Sequence, residues 1–365
     1  MARRTTLCLS MIVKNEAAVI RRCLDSVRPL IDHWVIVDTG SSDGTQDIIR
    51  DALRDVAGEL HERPWRDFAH NRTEALDLAR PRADYSLIID ADDELEIPKN
   101  YRLPRLTADA YVLDIDHPPV RYQRIQIVSN ARPWRYVGVL HEFLTCAGAG
   151  PSGRLPPVYR MHFDGARRRD PQTYARDAAV LENALATETD PLLRARYTFY
   201  LAQSCRDSGD PGKALRLYRE RAGLGQWQEE VYVSLLEAAR LMESLGHPDE
   251  EVIHAYGQAA RAAPRRAEAL HGAARLCRER KRYEDGFRHA AAGIAIAMPK
   301  SGLFVEPWIY DWGLLDEYAI HAYWTGHYRE SLEACLELLT QQKLPAEHRD
   351  RVMTNAGYAK HKLTG

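Results

Sequence analysis

Strand signals fill the first part of this chain and then stop. "TLCLSMIV", "WVIVD" and "YSLIID" are short apolar runs, and helical segments, "AAVIRRCLDSV", "TQDIIRDAL" and "AHNRTEALDLA", alternate with them. Strands joined through helices run parallel, so the alternation predicts an α/β domain with a mostly parallel sheet. After Pro98 the texture changes to strands linked by loops: "AYVLDID", "YQRIQIVSN" and "WRYVGVL", followed by the turn-rich "PSGRLPPV". From about Pro171 onward only Ala, Leu, Arg and Glu at helical spacing remain. A chain of 365 residues exceeds one ordinary core. The expected division is an α/β domain over 1–170, a connecting helix over 171–190 and an all-α domain over 191–365.

The helical part resembles itself. "YLAQSCRDSGDPGKALRLYRERA" lies over "LLEAARLMESLGHPDEEVIHAYGQAA", with Gly209 on Gly246. "GAARLCRERKRYEDGFRHAAAGI" and "AIHAYWTGHYRESLEACLELL" repeat the theme. A small-residue helix, a Gly or polar turn and a second helix of this length resemble the tetratricopeptide repeat, and stacked helix pairs form a concave face suited to a long partner. The irregular "MPKSGLFVEPWIYDWG" interrupts the series, and its Trp308, Tyr310 and Trp312 are candidate stacking platforms.

Composition removes several function classes. The formal net charge of -2 provides no basic field for nucleic acid. The longest apolar stretch, "AAAGIAIAM", is too short to span a bilayer, and the start "MARRTTLCLSMIVKNE" reads as a buried strand rather than a signal peptide. Six cysteines without a C-x-x-C pair suit reduced thiols in a cytoplasmic protein. A peripheral contact with the inner membrane and self-association through the helices stay open.

The chemistry concentrates at strand ends. Asp38 closes "VIVD"; Asp90 and Asp92 follow "LII". In a parallel sheet these carboxylates share the carboxyl edge, where ligands bind. Asp90 and Asp92, two apart on extended backbone, project to one side. Such a pair suits a hard divalent cation, Mg²⁺ or Mn²⁺, with positions left for phosphate oxygens. An EF-hand would need Gly where Leu95 stands, and a nucleotidyltransferase would prefer a Gly-rich phosphate loop that "VKNEAAV" lacks.

In order and spacing, "SMIVKNEAAVIRRCLDSV", "VIVDTGSSDGT", "FAHNRTEALDLA" and "SLIIDADDEL" resemble the family 2 glycosyltransferases of GT-A fold, a Rossmann-like architecture, over roughly Thr6 to Gly165. The resemblance implies that Asp38 contacts the nucleobase, usually uracil, of a nucleotide-sugar donor. It implies that Asp90 and Asp92 form the D-x-D element holding the metal on the diphosphate, with Asp90 also facing the donor. Asn15 and Glu16 would lie near the nucleotide, and Arg72 of "HNR" would face the donor. "WRYVGVLHE" and "VYRMHFDG" are similar to elements of bacterial members that also carry tetratricopeptide repeats. By that likeness His162 would complete the metal site. Glu142 is the candidate base that takes the acceptor's proton, with His141 or Asp93 in reserve. Inversion at the anomeric carbon follows from the resemblance alone. The acceptor would be a peptide, protein or glycan. The rival reading is a repeat scaffold whose transferase half is inactive.

Overall fold

The computed structural model describes residues 4–117 and 120–364. The chain divides into two compact units, Met1–Thr187 and Glu188–Gly365, each with its own buried apolar clusters.

The first unit is built on strands β1 (Leu7–Val13), β2 (His33–Asp38), β3 (Gly58–Glu62), β4 (Tyr85–Ile88), β5 (Glu94–Glu96), β6 (Ala110–His117), β7 (Val120–Ser129), β8 (Arg135–Val137), β9 (Phe143–Thr145) and β10 (Gly153–Arg160). Its helices are α1 (Ile20–Val27), α2 (Thr45–Ala52), α3 (Phe68–Ala79), α4 (Ala166–Arg169) and α5 (Thr173–Leu185). Eight strands form one sheet in the order β3-β2-β1-β4-β7-β6-β10-β5. β3, β2, β1 and β4 run parallel to one another, as the helical crossovers require. The remainder is mixed: β7 is antiparallel to β4 and β6, β10 is parallel to β6, and β5 is antiparallel to β10. The core lies where Leu7, Leu9 and Met11 of β1 meet Ile20, Cys23 and Leu24 of α1 and Ile36 of β2.

Two local readings change. "WRYVGVL" yields only the three-residue β8, because Gly138 at φ 108° turns the chain away. "PSGRLPPV" is a strand, not a loop: β10 runs through both prolines, and its register on β6 shifts between Arg154 and Val158, where prolines cannot donate to the ladder.

The second unit comprises α6 (Pro191–Asp207), α7 (Pro211–Gly223), α8 (Gln228–Ser244), α9 (Asp249–Ala262), α10 (Glu268–Glu279), α11 (Tyr283–Ile294), α12 (Leu314–Trp324), α13 (Tyr328–Thr340) and α14 (Ala346–Thr364). Successive helices of this unit pack against one another along the chain, as stacked helix–turn–helix units do. Four turns repeat one device. Gly209, Gly246, Lys281 and Gly326 all take positive φ. The next residue's N–H then reaches back to the last helical turn: Asp210 to the Cys205 carbonyl, His247 to Met242, Arg282 to Cys277 and His327 to Ala322, all at 2.8–3.0 Å. This is the Schellman closure of a helix, and it satisfies carbonyls that the helix end leaves over.

The insertion before α12 is stitched down rather than free. Buried Glu268 accepts hydrogen bonds from the Tyr310 and Tyr232 hydroxyls at 2.9 and 3.0 Å, while Arg266 bridges Glu268 to the Leu303 carbonyl. Tyr310 therefore fills a seam, and Trp312 packs against the last helices; Trp308 alone of the three keeps an exposed face. None of the six cysteines, all among the described residues, is in a disulfide; five are buried and Cys146, just past β9, is half-buried. No described helix is long and apolar enough to cross a membrane.

Candidate active site

The register of β1 on β2 sets Val13 beside Asp38, so the chain leaving β1 and the Asp38 side chain meet at one sheet edge. Asp38 Oδ1 accepts the N–H groups of Gly40 and Ser41 at 2.8 and 2.7 Å, folding the "TGSSDG" turn back onto the strand end. Its Oδ2 is buried with no hydrogen-bond partner among the described residues. A buried acceptor without a donor is costly unless something else completes it.

Asn15, at φ 57°, donates its N–H to Ser41 Oγ and accepts the Ser42 N–H on Oδ1. Asn tolerates this left-handed geometry, and here it pins the loop after β2. Glu16 turns the other way. Its carboxylate accepts the Ala166 N–H at 3.0 and 3.2 Å, fastening the segment after His162 to the end of β1. Burial pushes Glu16 up to about 7; the Ala166 N–H opposes this and the Asp92 charge adds to it.

Arg72 on α3 links two distant stretches. Nη2 lies 2.5 Å from Asp90 Oδ1, and Nε lies 2.6 Å from Glu142 Oε1. The second contact is an ion pair by distance only, because the Nε–H has no aligned acceptor. Burial opposes charge on Asp90, but Arg72 and then Arg124 outweigh it and hold Asp90 below the usual carboxylate range. Glu142 sits in the loop between β8 and β9, which α3 fixes through the Tyr136 N–H on Thr73 Oγ1.

Asp92 behaves oppositely. Burial, then the neighbouring Asp90 charge, raises its carboxyl. Arg22 of α1 reaches its carbonyl and pairs with both Asp164 oxygens at 2.8 Å. Gly165 lies against the Asp92 carboxylate so closely that any Cβ there would overlap it. Asp93 is occupied structurally: the Tyr159 hydroxyl donates to Oδ2 at 2.7 Å and the His162 N–H to Oδ1 at 2.8 Å. Burial, then Asp90, lifts Asp93 to about 7. The His162 ring faces Glu94, 3.4 Å away. His141 is exposed, at φ 52°.

Asp90, Arg72 and Glu142 thus touch, and Glu16 and Asp92 interact through charge. Among the described residues, no group of three or more His, Cys, Asp and Glu side chains converges as a metal cluster. Asp90 and Asp92 are carboxylate oxygens of the kind a hard cation takes, and burial first, the Asp90 charge second, raises Asp92. Sequence reasoning missed Tyr159 and Arg22, and gave Gly165 no role beyond its place in the His162 element. Only the nearness of Tyr159 to His162 could have pointed to the first; Arg22 looks like any helix-surface arginine.

The glycosyl transferase family 2 model matches residues 8–137. The first unit carries a family 2 glycosyltransferase domain. Within the matched stretch lie Asn15, Glu16, Asp38, Arg72, Asp90 and Asp92; His141, Glu142 and His162 lie beyond it. A TPR repeat-containing protein of Synechococcus elongatus is 37% identical over 26% of this chain and 22% of its own length. The SPbeta prophage-derived glycosyltransferase SunS of Bacillus subtilis is 33% identical over 24% of this chain and 20% of its own. The chain spans about a fifth of the length of these two relatives. Among solved structures, a tetratricopeptide repeat protein from Parabacteroides merdae superposes with a TM-score of 0.38 at 17% identity, over 52% of this chain and 70% of that one.

Proposed function

We propose that this chain is an inverting glycosyltransferase that moves a sugar from a nucleotide donor, uridine-linked by preference, to a polypeptide or glycan acceptor. The observation that carries the reading is the single Arg72 guanidinium held against both Asp90 and Glu142 at the carboxyl edge of a family 2 domain. It brings the donor-side carboxylate and the candidate base to one point.

In this reading Asp38 accepts an imino N–H of the nucleobase through its unpartnered oxygen, and Asn15 and Glu16 shape the surrounding loops. Asp90 and Asp92 would hold Mn²⁺ or Mg²⁺, with His162 as the candidate third ligand. When bound, the metal supplies positive charge beside the diphosphate leaving group. Arg72 lies beside the Glu142 carboxylate that would take the acceptor's proton. As the acceptor oxygen bonds to the anomeric carbon, the bond to the nucleoside diphosphate breaks on the opposite face, and the proton passes to Glu142. His141 stands beside Glu142 as its reserve. Asp93, already hydrogen-bonded by Tyr159 and His162, is a poor base. The helical unit recruits the acceptor, and cytoplasmic placement suits six cysteines outside any disulfide.

The test is Glu142→Gln. Donor affinity should persist while transfer falls by about 10²–10⁴-fold. Near-normal transfer would move the role to His141. Full activity of the wild type in excess EDTA would remove the metal from the reading.

A further inference from the structure

The first unit holds three tryptophans. Trp34 and Trp134 are buried, but Trp65 is 43% exposed. Its loop, which joins β3 to α3, is not loose. The buried Asn71 side chain grips it on both sides of the indole: Oδ1 accepts the Arg66 N–H at 3.0 Å and Nδ2 donates to the Pro64 carbonyl at 3.2 Å. Asp67 then caps α3 through the His70 N–H. The indole is thus presented on an ordered loop, so stacking against it would cost little further ordering.

Its position points to what would stack there. The Arg63 N–H donates to the Asp38 carbonyl at 2.9 Å, so this loop starts at the end of β2. Trp65 packs edge-on against Phe68, with ring centroids 4.7 Å apart, and the Arg167 guanidinium covers Phe68 at 5.0 Å. Arg167 follows Ala166, whose N–H is held by Glu16. Two independent connections therefore tie Trp65 to the edge that carries Asp38 and Glu16.

We propose that Trp65 is the stacking platform for the donor's nucleobase and that Asn71 is the positioning residue that presents it. The inference rests on the donor-site reading above. Stacking on a ring face is tolerant of base identity. Asp38, with one buried oxygen lacking a donor, would add selection for bases with an imino N–H, uracil or guanine.

Calorimetric titration of the full chain with UDP, GDP and pyrophosphate in Mn²⁺ tests this. Whichever nucleoside diphosphate binds the wild type should bind Trp65→Ala about 5- to 150-fold more weakly, the range expected from base stacking. Pyrophosphate affinity should not change, and Trp65→Phe should recover most of the loss. Asn71→Ala should reproduce the nucleotide defect; Trp65→Ala, a surface change, keeps the test valid if Asn71→Ala fails to fold. Unchanged diphosphate affinity in Trp65→Ala overturns the inference alone, and a raised acceptor KM with it would make the ring an acceptor platform. A wild type that binds neither diphosphate overturns the donor-site reading as well.

Discussion

The Arg72 guanidinium meets Asp90 through Nη2 and Glu142 through Nε, on different edges of one planar fork. Lysine, a single point charge, cannot serve both. Arg72→Lys should leave one buried carboxylate poorly compensated, cost about 1–3 kcal/mol in a melting experiment and depress transfer. A variant that melts and turns over like the wild type would refute the bridging role. Gly165 gives a second test. Because a Cβ there overlaps the Asp92 carboxylate, Gly165→Ala should weaken donor binding in Mn²⁺ with little loss of stability. Glu16 adds a pH signature. Its folded pKa, about 7, lies above its ordinary value of 4.5. The native state thus holds the proton more tightly, and this contribution to stability is complete below about pH 4.5 and lost as pH rises through 7. Glu16→Gln keeps a carbonyl for the Ala166 N–H and carries no charge. In ligand-free protein it should raise the melting temperature at pH 8 more than at pH 5; equal shifts would contradict the assignment. At this scale the strand-end carboxylates stand out in the sequence because a strand followed by acids is a local pattern, whereas Arg72 is singled out only by the family resemblance. Tyr159 and Arg22 escaped, because each matters through a partner about 70 residues away.

Elements were legible where periodicity was clean. β1, β2, β4 and α3 were foreseen, as was the repeated helix–turn–helix. β10 was not, since two prolines mask a strand that tolerates them only through a register shift. The Schellman turns sharpen the repeat. Three use glycine at the left-handed position and one uses Lys281 at φ 57°. A side chain there is strained, so Lys281→Gly should stabilise the helical unit by about 1 kcal/mol, read by urea denaturation. Elsewhere glycine is required for packing. A Cβ on Gly286 of α11 would overlap the buried His321 ring of α12, whereas one on Gly357 of α14 would meet nothing. Gly286→Ala should cost about 1–3 kcal/mol or more, and Gly357→Ala should gain up to about 1 kcal/mol. Equal effects of the two would show that helix propensity, not the α11–α12 contact, dominates.

At the scale of the molecule, two units with separate cores should melt separately. UDP with Mn²⁺ should raise one calorimetric transition, and Gly286→Ala should lower the other. A single transition shifted by both would mean that the units unfold as one. The change of texture near Pro171 led to an expected boundary at residue 170; the two compact units meet at Thr187, so α5, whose Asp177 pairs with Arg167, falls in the first. Which sugar and which acceptor the proposed transferase would take has no local signal, since both would depend on surfaces assembled from many turns. The distribution of thiols has a practical side. Burial lifts Cys8 to about 12 and Cys277 and Cys335 to about 11, which leaves them almost wholly protonated at neutral pH. Cys146, one residue past β9, stands apart, four positions after Glu142. A maleimide dye should therefore attach there first without mutagenesis, placing a fluorescent reporter on the hairpin that carries Glu142 and allowing acceptor arrival to be followed in real time.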